Sequence, residues 1–304
     1  MLPEYPMAEN RDPFFVVGSQ RSGTTMLRLM LNQHSRFNVP FETAFIPDFH
    51  QRIGEFGDLA NRDNLERLLD EIANTPFAVK GNLVPDRDAV LRRNPNSYKT
   101  LLEAIFGVLA EQRGKVRWGD KTPSYIEHMD VLWSVFPNCK FIHLIRDGRD
   151  VALSLRGISW GSQDMTKLAR DWRWKVMLGR KMGAMIPQHY LEVHYETLVS
   201  QPVETLRRIC DFLGEPFEFG MLRYHESGAA EMPAASMQWH TSSVSAPDPR
   251  KVQSWRQKMT STDRIVYEEI AGDALQMFGY ELSQLKPTLG SRIQFARYAL
   301  LGHA

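Results

Sequence analysis

The sequence predicts an α/β fold, a central parallel sheet flanked by helices. Three observations carry that expectation. Short, continuously apolar segments recur along the chain, as in strands buried on both faces. Each precedes a stretch with helical periodicity, the order of a parallel sheet with crossover helices. A glycine-containing turn joins the first such segment to the first helix. The 304 residues suffice to bury a substantial core and are read as a single domain, 1–304.

The first strand is expected at 14–17, where Phe14, Phe15, Val16 and Val17 form an unbroken apolar run. It leads into Gly18-Ser19-Gln20-Arg21-Ser22-Gly23 and a helix carrying Met26, Leu27, Met30 and Leu31. Residues 44–112 read as a mostly helical insertion over one side of the sheet, with turns at Gly81-Asn82 and Asn94-Pro95. Further strands are expected at 116–118, 140–145 and 190–194, each preceding helical periodicity, at 125–136, 150–156 and 203–213. Residues 227–249 have little periodicity and read as a long loop near the site. Helices are expected at 251–259 and 262–278. A tail, 281–304, includes an amphipathic stretch at 291–301 that reads as packing on the body or on the partner of a homodimer, with contact to a membrane surface as the alternative.

Lys+Arg number 37 against Asp+Glu 36, a formal net charge of +1. A polyanionic nucleic-acid partner favours a basic excess, so none is expected, and any anion site must be built locally. The N-terminus lacks a basic segment followed by an apolar run, and no stretch approaches the roughly 20 apolar residues of a spanning helix. Cys139 and Cys210 sit far apart in apolar segments and read as buried thiols. A cytoplasmic location and no metal site are the corresponding expectations.

The first turn holds the chemistry. Gly18, four residues, Gly23 and then Thr24-Thr25 follow the spacing of a P-loop, except that threonine stands where its lysine belongs. Backbone N–H groups and the positive end of a helix dipole suit a phosphate there. Without that lysine, and with Arg146 ending the 140–145 run where a nucleotide hydrolase would want an acid, the cradle suits a phosphate-like group without a γ-phosphate or Mg²⁺. Arg21 can supply the missing charge. A structural glycine turn explains the glycines equally well, but not the clustering of Arg21, Ser22, Thr24 and Thr25.

At these residues the sequence resembles the sulfotransferases that use 3′-phosphoadenosine-5′-phosphosulfate (PAPS). Gln20-Arg21-Ser22-Gly23-Thr24-Thr25 is similar to their 5′-phosphosulfate loop, and the segment from Ile145 to Ser154 is similar to their 3′-phosphate strand and helix. Phe41-Glu42-Thr43, Asp120-Lys121-Thr122-Pro123 and His194-Tyr195-Glu196 match the tyrosylprotein sulfotransferase branch and its bacterial relatives. The resemblance implies a P-loop-like sulfotransferase fold, PAPS as donor, the adenosine bisphosphate PAP as product, no metal, and a hydroxyl-bearing acceptor. It implies that Arg21, Ser22, Gly23, Thr24 and Thr25 hold the 5′-phosphosulfate. Arg146 and Ser154 would hold the 3′-phosphate, with Tyr195 and a residue near Ser242-Ser243 adding contacts. Ser254-Trp255-Arg256 resembles the family's C-terminal segment, which leaves open whether Ser242, Ser243, Lys251 or Arg256 touches the donor.

Sulfonyl transfer builds charge on the bridging oxygen of the donor, so cations there lower the barrier. Arg21 and Lys121 are the candidates, Lys121 because it follows an expected strand and should point over the cradle. The acceptor hydroxyl must lose a proton, and Glu42, after the short strand that follows the loop helix, is the candidate base. The alternative for Glu42 is a helix-capping surface residue; the alternative for Arg146 is an ion pair with Asp147 or Asp150. His143 is a rival base but reads as a core histidine, and Trp172 and Trp174 receive no role. In the tyrosylprotein branch an arginine two residues after the glutamate helps hold an acidic peptide; Ala44 stands here. A carbohydrate, lipid-linked or small-molecule hydroxyl is therefore favoured over peptide tyrosine. Lys80, Arg87, Arg92 and Arg93 either approach an anionic acceptor or form a solvated face. The rival classes are a P-loop kinase or NTPase and a catalytically dead nucleotide-binding module.

Overall fold

The computed structural model describes residues 12–290 apart from 82, 84, 234, 235, 241, 242 and 288. Five strands form one sheet among these residues: β1 (Phe14–Val17), β2 (Phe37–Asn38), β3 (Arg117–Lys121), β4 (Lys140–Ile145) and β5 (Tyr190–His194). Their order is β2-β3-β1-β4-β5, and every pairing is parallel. From β1 the chain runs to the edge strand β2, returns to β3 beside β1, and then crosses to β4 and β5 on the other side. The C-terminal end of β1 is therefore a topological switch point, where ligands bind in open α/β sheets.

All four residues of β1 are fully buried, because helices cover both faces. Phe15 and Val17 pack with the insertion, which comprises α2 (Ile46–Arg52), α3 (Arg62–Ala73), α4 (Pro76–Lys80), α5 (Arg87–Arg92) and α6 (Tyr98–Glu111). α7 (Met129–Val135) completes that layer. Phe14 and Val16 face the other way, toward α1 (Thr24–Asn32), α10 (Tyr195–Ser200) and α11 (Pro202–Leu213). A third cluster lies past the end of β4, where α8 (Gly148–Arg156) and α9 (Met165–Met185) pack with α14 (Trp255–Lys258) and α15 (Ser261–Met277). Between these, α12 (Tyr224–Ser227) and α13 (Met237–His240) are single turns.

Three strands agree with the sequence reading, and α2 to α6 fall within the 44–112 segment; the differences have local causes. β3 reaches Lys121 rather than stopping at Trp118, since the parallel register with β1 (Phe14↔Gly119, Val16↔Lys121) overrides the poor strand propensity of Gly119 and Asp120. A Cβ on Gly119 would stand 2.5 Å from the Phe14 ring, so the strand needs glycine there. The helix expected at 125–136 divides into a tight turn, Pro123–Glu127, and α7, with His128 in a non-helical conformation (φ −133°, ψ 25°) between them. The helix expected at 251–259 shortens to α14 because Gln253 adopts a positive φ of 55°. The long loop at 227–249 contains the turn of α13. The 291–301 stretch and Ser242 lie outside the described residues. Cys139 and Cys210 are buried free thiols, as expected. No helix among the described residues is long and apolar enough to cross a membrane.

Candidate active site

At the C-terminal edge of the sheet lies a cleft of about 730 Å³, with the β1–α1 loop as its floor. That loop owes its shape to two glycines. A Cβ on Gly18 would stand 2.4 Å from the Leu144 carbonyl oxygen, and one on Gly23 would stand 2.5 Å from the Tyr195 ring, at a φ of 96°. Gly23 caps α1, so the helix's first N–H groups open toward the cleft at Thr24 and Thr25. Arg21 has a φ of 68°, which turns its guanidinium across the cleft: Nε donates to Ser154 Oγ (3.0 Å) and Nη1 to the Trp239 carbonyl (2.9 Å).

The second basic position comes from the end of β4. Arg146 donates through Nη1 to the Arg21 carbonyl and through Nη2 to the Lys251 carbonyl, both at 3.2 Å. Its guanidinium lies 4.4 Å from the Tyr195 ring centroid. The nearby carboxylates are engaged elsewhere. Asp147 caps α8 and binds Arg149 (2.8 Å), while Asp150 accepts from Ser254 Oγ and the Trp255 N–H, each at 2.8 Å. The ion pair weighed for Arg146 is thus not the arrangement found. Arg146 Nε and Ser22 Oγ are buried and unpartnered among the described residues. Burial, and then the neighbouring charge of Arg146, lowers the pKa of Arg21. Two adjacent guanidiniums, that of Arg146 with an unpartnered Nε, beside a helix N-terminus, fit an anion phosphorylated in two places.

Glu42 also lines the cleft, and Lys121 donates to its Oε1 at 2.7 Å and to Thr25 Oγ1 at 3.2 Å. Lys121 is fully buried rather than pointing over the cradle, and burial lowers its pKa. The cap alternative for Glu42 is not found, since the N-cap of α2 is Phe45, with no side-chain cap bond. The backbone beside Glu42 is clamped from below. Thr43 Oγ1 and Thr122 Oγ1 donate to opposite oxygens of Asp120, the latter at 2.8 Å, and Thr122 Oγ1 accepts from the Thr43 N–H at 3.1 Å. Tyr125 OH bonds Thr43 Oγ1 (2.8 Å) and accepts from the Ile46 N–H (3.1 Å).

Burial raises the Asp120 pKa from 3.8 to about 6. Between those values the folded state holds the proton more tightly than the unfolded chain, so this contribution to stability is present at low pH and lost as pH rises through about 6. The stability of wild type relative to Asp120→Asn is expected to fall between about pH 4 and 7, by something of order 3 kcal/mol. Denaturant melts of both proteins across that range test it; a pH-independent difference would show that Asp120 does not titrate in this window.

The remaining expectations sort cleanly. Gly23, Thr24, Thr25, Arg146, Ser154, Tyr195 and Ser243 line the cleft with Arg21 and Glu42; Ser22 lies buried behind the loop. His143 is a core histidine, bonded to Tyr190 OH (2.6 Å) and lowered by burial to a pKa of about 3. Trp172 is core and donates to the Arg146 carbonyl, while Trp174 is exposed. Arg87, Arg92 and Arg93 pair with carboxylates outside the cleft, and Arg256 pairs with Glu281. Lys80 and Lys251 do line the cleft. Ser254, Lys258, Phe77, Trp160 and Trp239 line it too and were not singled out for it. Only the likeness of Ser254-Trp255-Arg256 to a family segment hinted at any of these.

A parallel sheet with an anion cradle at its switch point defines a P-loop-like nucleotide-binding α/β protein. A model of the sulfotransferase family matches residues 13–218, and the chain belongs to that family. A putative protein-tyrosine sulfotransferase of Caenorhabditis briggsae is 25% identical over 280 residues, covering 90% of each chain. Protein-tyrosine sulfotransferase 1 of Danio rerio is 29% identical over 239 residues, 73% of this chain and 59% of that protein. Among solved structures, the sulfotransferase domain from the Synechococcus PCC 7002 olefin synthase shares the fold. Its TM-score is 0.61 at 23% identity, covering 92% of this chain and 100% of that one.

Proposed function

We propose that the chain moves the sulfonyl group of PAPS to a carbohydrate, lipid-linked or small-molecule hydroxyl, with Glu42 as base. The observation that carries this reading is the run Glu42–Lys121–Thr25, which ties a carboxylate in the cleft to the phosphate loop within two hydrogen bonds. The donor supplies an activated sulfur. Thr24, Thr25 and the N–H groups of α1 would hold its 5′ end, and Arg146 with Ser154 its 3′-phosphate. Tyr195, stacked on Arg146, and Ser243 border the same anion. As the acceptor oxygen bonds to sulfur, the hydroxyl proton passes to Glu42 and the old sulfur–oxygen bond breaks toward the bisphosphate. Arg21 and Lys121 offset the charge that gathers on the departing oxygen.

The named relatives are protein-tyrosine sulfotransferases, which makes peptide tyrosine the second reading of the acceptor. Against it stands Ala44, at a φ of 54°, in place of the peptide-holding arginine of the tyrosylprotein branch. The donor half is tested by melting. PAP binds the native state and is expected to raise the melting temperature, by an amount equivalent to about 2.7 kcal/mol at a hundredfold excess over Kd. ATP with Mg²⁺ raising it while PAP does not would defeat the proposal.

A further inference from the structure

The cleft has a second wall that the donor residues do not use. Phe77 and Lys80 from α4, Trp160 from the α8–α9 turn and Trp239 from α13 line the same cleft as the phosphate loop. Phe77 is 45% exposed and Trp160 54% exposed, so large apolar side chains are held open to solvent inside a concave site rather than folded away. Trp160 meets Trp239 edge to face, with ring centroids 6.5 Å apart. Trp239 is tied to the donor loop, because its carbonyl accepts from Arg21 Nη1 at 2.9 Å. The aromatic wall therefore ends where the sulfonyl group would be presented.

One charge sits in that wall. Lys80 Nζ lies 5.3 Å from the Trp239 ring centroid and, among the described residues, pairs with no carboxylate. Its basic neighbours on the insertion differ: Arg87 is bound by Glu66 and Asp70, Arg92 lies by Asp86, and Arg93 is bound by Glu111. Lys80 is thus the insertion's cation that faces the cleft, set at the end of an apolar surface. Arg21 and Arg146 are committed to the donor side through Ser154 and the Lys251 carbonyl.

We propose that the acceptor is a hydroxy acid with an apolar body: its rings or chain lie against Phe77, Trp160 and Trp239, and its anionic group is taken by Lys80. The proposal rests on the sulfotransferase reading above and narrows its acceptor. An uncharged sugar would use the aromatic wall but leave Lys80 without a ligand. The transfer itself is unchanged, with the new bond from acceptor oxygen to sulfur, the proton on Glu42 and the bisphosphate as leaving group.

The test compares para-hydroxyphenylpropionate, its uncharged counterpart para-propylphenol, and methyl glucoside as acceptors with PAPS. Wild type is expected to favour the acid over the neutral phenol by roughly tenfold in kcat/KM, the size of one charge-assisted contact. Lys80→Met keeps the apolar stem against Trp239 and is expected to bring that ratio near one; Trp160→Ala is expected to weaken both phenols together. A ratio unchanged in Lys80→Met, a preference for the glucoside, or no transfer to either phenol by protein that binds PAP would overturn the acceptor proposal. Failure to bind PAP at all would sink the sulfotransferase reading itself, and the acceptor proposal with it.

Discussion

Glu42→Gln is expected to lower turnover by ~10²–10⁴ while leaving PAP affinity nearly intact, the range by which a positioned general base accelerates proton transfer. The substitution keeps a side-chain oxygen to accept from Lys121, now 2.7 Å from Glu42 Oε1, so the local packing has little reason to move. What it removes is the carboxylate that would take the acceptor's proton. Single-turnover transfer together with a PAP titration separates the two effects. Turnover at the wild-type rate would remove Glu42 from the base role, and a matching loss of PAP affinity would make it a donor ligand instead.

Lys121→Met is expected to cost ~10²–10³ in kcat, as with other preorganised groups that meet charge only in the transition state. Lys121 is wholly buried, and burial lowers its pKa, so its ammonium is held there against a desolvation cost. Methionine fills the same space without that cost but leaves Glu42 without this cation, so a melting curve and a PAP titration of the variant are needed to show that the loss of activity is not a loss of fold. An unchanged kcat would reduce Lys121 to a packing residue. The double variant adds a sharper reading. Glu42 and Lys121 touch each other and serve one step, so the loss in Glu42→Gln/Lys121→Met should fall well short of the product of the single losses. Multiplicative losses would mean that the two act independently.

Both residues were legible beforehand because strand ends in a parallel sheet share one edge. Glu42 follows β2 and Lys121 closes β3, and those strands are adjacent in the sheet. Arg146 was legible for the same reason, at the end of β4 beside β1. The Asp120 clamp was not legible, since a strand residue's burial and its two threonine partners depend on how 42–46 folds back over β3. Lys121 was expected over the cradle; it is buried, with its ammonium bonded to Glu42 and Thr25, which line the cleft.

Residue order alone was enough for the parallel-sheet class, three of its strands, the glycine-bounded loop after β1 and the basic end of β4. Those features are local: apolar runs, periodicity and glycine spacing act within a few residues, and hydrogen-bonded strand geometry does the rest. The second wall of the cleft belongs to the folded chain. Phe77, Lys80, Trp160 and Trp239 are separated by up to 162 positions. They come together because α4, the turn after α8 and α13 converge on one edge of the sheet. No periodicity reports a meeting of that kind, since each residue's own neighbours in sequence say nothing of the surface it will share.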